Sequence, residues 1–394
     1  MALDLNTRNI ALAIDGGGIK GLMVAKALVE LEAKLGGGPL LHKTNLKVMS
    51  GTSTGAILTA AIALGMTAQD MVHMYTSLGS AVFPRWWSEQ PAIIKWFASK
   101  WELALQVFFR PALFDNKALR EILRQVGLKY GVATLGDIHQ KLNNPENWVP
   151  DANGKYTLSP NRVDYGVQNE RTLIITVVDI NERRTRFLKS NDPKDANLKF
   201  EDVILASAAA PSYLPVITLP LEDKRTGMIV DTQCTDGGVG SHGNPAYIAA
   251  LEILQYAKQP DPPNTVSVLS FGTGFLPAKD YELDKGHPRD WRLIKWAQNI
   301  PIIMIGDAAR WQSVDIILKA GGVDFRRYQV PMEKDIGLDD ASRPALDVLE
   351  NVYGERMAER VKEDNFAPNA SSDYDPEGLF YMVNSTLKQL TAKG

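Results

Sequence analysis

Gly51-Thr52-Ser53-Thr54-Gly55 has the form G-x-S-x-G, a spacing suited to nucleophilic attack by a serine hydroxyl. It falls where an apolar strand pattern ends and a helical one begins. Small flanking residues permit a tight, strained turn that lifts the serine Oγ clear of a sheet and aims it at the start of the next helix. Upstream, Asp15-Gly16-Gly17-Gly18-Ile19-Lys20-Gly21 follows a first strand and precedes a helix, so its backbone N–H groups point outward at a helix start. Acyl transfer needs such donors where an oxyanion develops; Gly17 and Gly18 are the expected ones, joined by the Thr54 N–H. Asp236-Gly237-Gly238 follows the apolar stretch Met228 to Val230, and its glycines let a carboxylate project. A bare aspartate is a weak base toward a hydroxyl, so Asp236 is expected to be desolvated and within about 3 Å of Ser53 Oγ. The competing reading makes it a cap for the helix after Pro245.

Other chemistries fit less well. Gly16, Gly18 and Gly21 also read as G-x-G-x-x-G, the dinucleotide fingerprint of an oxidoreductase. That reading wants an acidic residue at the end of the second strand, which here runs straight into the serine motif. His242, six residues beyond Asp236, is the candidate for a conventional triad. His73 lies on an expected helix, and His42, His139 and His287 have no motif around them. No two histidines have metal-ligand spacing with carboxylates, and a lone Cys234 builds no zinc site. Neither a metal nor a cofactor is expected.

The elements that must position these residues follow a βαβ pattern: strand Asn9 to Ile14, helix Leu22 to Leu35, strand Leu46 to Ser50, helix Thr54 to Met66, then a helix over Ala68 to Val82. The fold class is α/β, a mostly parallel central sheet with helices on both faces. A strand over Leu173 to Asp179, its partner Thr185 to Leu188, a helix Glu201 to Ala208 and a buried strand Val266 to Phe271 continue it. Residues 143–170 read as a long exposed loop inside one domain spanning 1–394, and the chain from about 290 reads as mainly helical apart from Phe325 to Val330. Between Phe83 and Phe114, Trp86, Trp87, Trp96, Phe97, Trp101, Phe108 and Phe109 crowd an aromatic cap or insert at about 83–127. Ile93, Phe97, Trp101, Leu105 and Phe108 make one apolar helical face there, which packs on the core or, beside Lys95, Lys100 and Arg110, lies at a lipid headgroup boundary.

The 394 residues carry 45% hydrophobic content and a net charge of −3 from 43 basic and 46 acidic residues. No basic block tracks a phosphate backbone, which argues against nucleic acid as a partner. One cysteine allows no intramolecular disulfide. The first residues do not resemble a signal peptide, and the longest apolar stretch, Gly55 to Met66, is short of the roughly 20 residues a spanning helix needs. A cytoplasmic protein with at most peripheral membrane contact is expected.

D-G-G-G-x-[KR]-G, G-x-S-x-G and D-G-G in this order resemble the patatin-like phospholipase family. The resemblance extends to Ala206-Ser207-Ala208-Ala209-Ala210-Pro211, to Asn244-Pro245-Ala246 and to Leu338-Asp339-Asp340-Ala341-Ser342, and so spans most of the chain. It implies a three-layer patatin-like sandwich and a Ser–Asp dyad without histidine, mapping onto Ser53 and Asp236. It also implies an oxyanion loop at Gly16, Gly17 and Gly18, with Lys20 in the basic position. Asp15, Gly21, Gly51, Gly55, Gly237 and Gly238 complete the three motifs. The activity implied is lipid acyl hydrolysis, of a phospholipase A or lipase kind, on phospholipids, galactolipids or neutral glycerides. Two further readings are a storage role, which some patatins fill, and a regulated effector lipase switched on by a nucleotide or a host partner.

Overall fold

A strand covered on both faces must be apolar along its whole length, and Asn9–Ile14 meets that condition: Ile10 to Ile14 are all buried in β1. In the computed structural model the described residues are 5–43, 45–82, 116–151, 156–158, 170–211, 213–257, 260–277, 280, 286–292, 303, 306, 308–313, 316 and 322–364. The aromatic segment 83–115 lies outside them. Ile10, Leu12 and Ile14 join the larger core cluster, while Ala11 and Ala13 join a smaller one on the opposite face. This alternation places helices on both sides of the sheet and gives three layers.

Around β1 the other strands are β2 (Leu46–Thr52), β5 (Thr172–Asp179), β6 (Arg184–Lys189), β7 (Ile217–Glu222), β8 (Ile229–Asp236), β9 (Val266–Phe271) and β10 (Asp324–Tyr328). Their order is β10-β9-β1-β2-β5-β8-β7, with β6 also on β5. The run from β10 to β5 is parallel; β6 and β8 are antiparallel to β5. A separate antiparallel pair, β3 (Trp148–Pro150) and β4 (Tyr156–Leu158), occupies what the sequence presents as plain loop. Three-residue strands are too short for period-2 alternation to register.

The helices are α1 (Gly21–Lys34), α2 (Thr54–Leu64), α3 (Ala68–Val82), α4 (Lys117–Tyr130), α5 (Leu135–Asn143), α6 (Phe200–Ala208), α7 (Ala246–Leu251), α8 (Arg343–Val348) and α9 (Glu355–Glu363). α1 packs against α3 and α9, and α7 covers β1, β2 and β9.

One registration matters most for the site. β2 ends with Thr52 opposite Thr176, and β8 ends with Asp236 opposite Val177. β6 occupies the other edge of β5 without a break from Ile174 to Asp179. β2 and β8 therefore meet end to end along one edge of β5, which brings Ser53 and Asp236 together although 183 positions separate them in sequence.

Candidate active site

Ser53 stands at the junction of β2 and α2 with φ 55° and ψ −121°, a positive-φ conformation that non-glycine residues seldom adopt. α2 can start so close to the sheet because Gly55 has no Cβ; one there would collide with the Ile14 carbonyl of β1. Gly51 is needed for the same reason, since its Cβ would strike the Gly55 carbonyl. Gly16 lies against the serine itself, where a Cβ would come 3.2 Å from Ser53 Cβ.

The Ser53 side chain lies close enough to the Asp236 carboxylate to pull its pKa down, and that carboxylate accepts the Gly238 N–H at 2.7 Å. The same bond caps a short 3-10 turn over Gly237–Val239. Asp236 therefore caps its own turn and not the helix after Pro245, where the Ala246 N–H is taken by Asn244 Oδ1 at 2.9 Å. Burial pushes the Asp236 acid up to about 6, against the opposing pull of the Ser53 side chain and the Gly238 N–H. The His242 ring bonds to neither Ser53 nor Asp236, although its carbonyl accepts Thr52 Oγ1 at 2.7 Å. Its ring meets Phe187 edge-on at 4.9 Å and its Nδ1 faces Ser241 Oγ at 3.3 Å. Burial lowers its pKa.

The glycine loop joins the site from the other side. Gly16 donates its N–H to the Gly243 carbonyl at 3.0 Å and accepts Thr273 Oγ1 at 2.7 Å, so its own N–H is already used. The N–H groups of Gly17 and Gly18 have no acceptor among the described residues. Gly18 adopts φ 58°, and a Cβ there would meet the Leu338 carbonyl, which accepts the Ile19 N–H at 2.8 Å. The Thr54 N–H opens α2 and has no intrahelical acceptor. Asp15 makes a buried two-pronged ion pair with Arg327 of β10, at 2.9 and 2.6 Å, and Lys20 reaches Asp335 at 3.4 Å. Gly21 packs under the hydrogen-bonded side chains of Thr54 and Tyr75.

Thr273 and Arg327 carry no short motif in the sequence. They support the loop only because β9 pairs with β1 and β10 with β9. Ser207 is visible in the sequence as part of a motif, but its bonds are not.

An apolar cavity begins at Gly18, Ser53 and Thr54. It runs along α2, where Ile57, Ala60, Ala61 and Leu64 recur at helical spacing, and is walled opposite by Leu119, Leu123, Phe200 and Leu214. Among the described residues no group of three or more His, Cys, Asp or Glu side chains is placed to hold a metal ion. Among them, too, no helix is long and apolar enough to cross a membrane.

An elbow serine beside a buried carboxylate at the head of an apolar channel belongs with the lipid hydrolases as a class. The family model described as patatin-like phospholipase matches residues 12–250, and the chain belongs to that family. It is 26% identical over 410 residues to patatin-like protein 1 of Oryza sativa subsp. indica, covering 92% of this chain and 86% of that one. It is 25% identical over 395 residues to a cGAMP-activated phospholipase of Pseudomonas aeruginosa, covering 96% of each. Among solved structures, VipD from Legionella pneumophila aligns over 97% of this chain and 75% of its own at 12% identity, with a TM-score of 0.37.

Proposed function

We propose that the protein is a lipid acyl hydrolase in which Ser53 is the nucleophile and Asp236 its base. The observation that carries this reading is the buried Asp236 carboxylate brought to Ser53 where β2 and β8 meet along β5, at the head of an apolar channel. Ser53 Oγ attacks the ester carbonyl and gives its proton to Asp236, while the N–H groups of Gly17, Gly18 and Thr54 receive the oxyanion. Collapse expels the alcohol with the proton from Asp236 and leaves an acyl-enzyme. Water then attacks the acyl carbon and yields its proton to Asp236, and the free acid leaves as Ser53 regains its hydrogen. The acyl chain lies along α2 and the head group stays outside.

Fatty-acid release from mixed phospholipid and glyceride vesicles, wild type against Ser53→Ala, tests the assignment. Release by wild type alone is expected; equal release by both removes Ser53 from the reaction. A second reading, that turnover is switched on by a nucleotide, is supported by the end-to-end match with the cGAMP-activated phospholipase. Under it, wild type is silent in the same assay until a cyclic dinucleotide is added.

A further inference from the structure

Where the elbow breaks away from β2, the ladder between β2 and β5 should lose a rung. Thr52 is the last β2 residue paired with β5, opposite Thr176. The next N–H, that of Ser53, and the Thr176 carbonyl are both buried and both need partners. The Ser207 hydroxyl lies between them: it accepts the Ser53 N–H at 3.0 Å and donates to the Thr176 carbonyl at 2.7 Å. These two bonds fix the direction of the hydroxyl hydrogen. Ser207 is fully buried near the end of α6 and is absent from the cavity wall.

Two residues further on, the same helix end holds the other partner. The Ala209 carbonyl accepts the Asp236 N–H at 3.1 Å and Thr235 Oγ1 at 2.7 Å. The end of α6 thus grips both strands, β2 through a side chain and β8 through a carbonyl.

We propose that Ser207 is a positioning residue that sets the angle of Ser53 against Asp236 by replacing the missing rung between β2 and β5. This rests on the Ser53–Asp236 reading. Ser53 keeps its strained φ only while the surrounding bonds over-determine it, and the bond to Ser207 is the one its own N–H makes. Without it, Ser53 relaxes toward ordinary backbone angles and its hydroxyl swings off the Asp236 carboxylate.

The test compares Ser207→Ala, Ser207→Cys and Ser207→Thr on a soluble p-nitrophenyl ester, with Ser53→Ala alongside. Ser207→Ala leaves two buried polar groups unpaired, so kcat should fall between about 5- and 100-fold, with KM within about twofold. The acid limb of kcat/KM should also move to higher pH, because the Ser53 side chain is one group that holds the Asp236 acid down. Thr keeps the hydroxyl and should recover most of kcat; Cys, close to Ser in size but a poor acceptor, should not. Activity that ranks by side-chain size instead, with an unmoved pH profile, would overturn the proposal and leave Ser207 as packing. If Ser53→Ala retains activity, the underlying Ser53–Asp236 reading fails whatever the Ser207 variants do. If Ser53→Ala is dead and Ser207→Ala matches wild type, only the role of Ser207 fails.

Discussion

At Ser53, φ of 55° costs a non-glycine residue about 1–3 kcal/mol, and the carboxylate it faces is itself costly to bury. Asp236 has a folded pKa of about 6 against an ordinary 3.8, so the folded state holds the proton more tightly than the unfolded chain. Stability from the neutral acid is complete below about pH 4 and is lost as pH rises through 6, a loss of roughly 3 kcal/mol. Activity runs the opposite way: the base must be ionised, so kcat/KM should climb through pH 6 and level off above it. Asp236→Asn should therefore lower turnover by roughly a thousandfold yet melt higher than wild type at pH 8, with the gap closing toward pH 4. A gap independent of pH would mean that the buried charge is not what destabilises the site. His242→Ala should keep most of the activity, because its ring packs on Phe187 and bonds to neither residue of the pair.

Elements differ in how much of themselves they show in sequence. β1, α1, β2 and α2 are legible because each has one dominant period and glycines at its ends. β7 is not: Ile217, Leu219 and Leu221 alternate correctly with exposed Thr218 and Pro220, but a proline inside a run argues against a strand. β8 reads only as its apolar start, Met228 to Val230, and those residues are exposed. Its functional end, Thr232–Asp236, is polar in type yet mostly buried between β5 and β7, and pairing of that kind leaves no local signal. The periodicity of α2 has a consequence of its own. Its cavity-lining positions run from Ser53 to Leu64, about 16 Å of helix, with Ala60 and Ala61 giving room midway. Each methylene that enters is worth about 0.8 kcal/mol, roughly fourfold. In a homologous ester series kcat/KM should rise by up to that factor per carbon and then flatten where the channel ends. Ala60→Phe should move the plateau to shorter chains while sparing the shortest esters. A flat series in wild type would place the acyl chain elsewhere.

Across the whole molecule, the three motifs that identify the site end at Gly238, and the family match ends at residue 250, but the sheet does not. β9 lies between β1 and β10 in the sheet, so residues before 250 leave the outer edge of β1 unpaired. Arg327, 312 positions from Asp15, neutralises the carboxylate at the base of the glycine loop, and no spacing rule connects the two in sequence. Just after α9, Asp364 ties β10 to α1: its buried carboxylate accepts Arg326 Nη1 at 2.6 Å and Tyr328 OH at 2.9 Å while its carbonyl accepts Lys34 Nζ at 2.6 Å. A chain cut after residue 250 keeps Ser53, Asp236 and every glycine of the three motifs, yet loses Arg327, the two-pronged partner of Asp15, and with it β9 and β10. The truncated chain should be insoluble or lack a cooperative melt and show no esterase activity, whereas the full chain melts cooperatively. A soluble, active 1–250 fragment would mean that the loop and elbow hold their geometry without β9, β10 and Arg327.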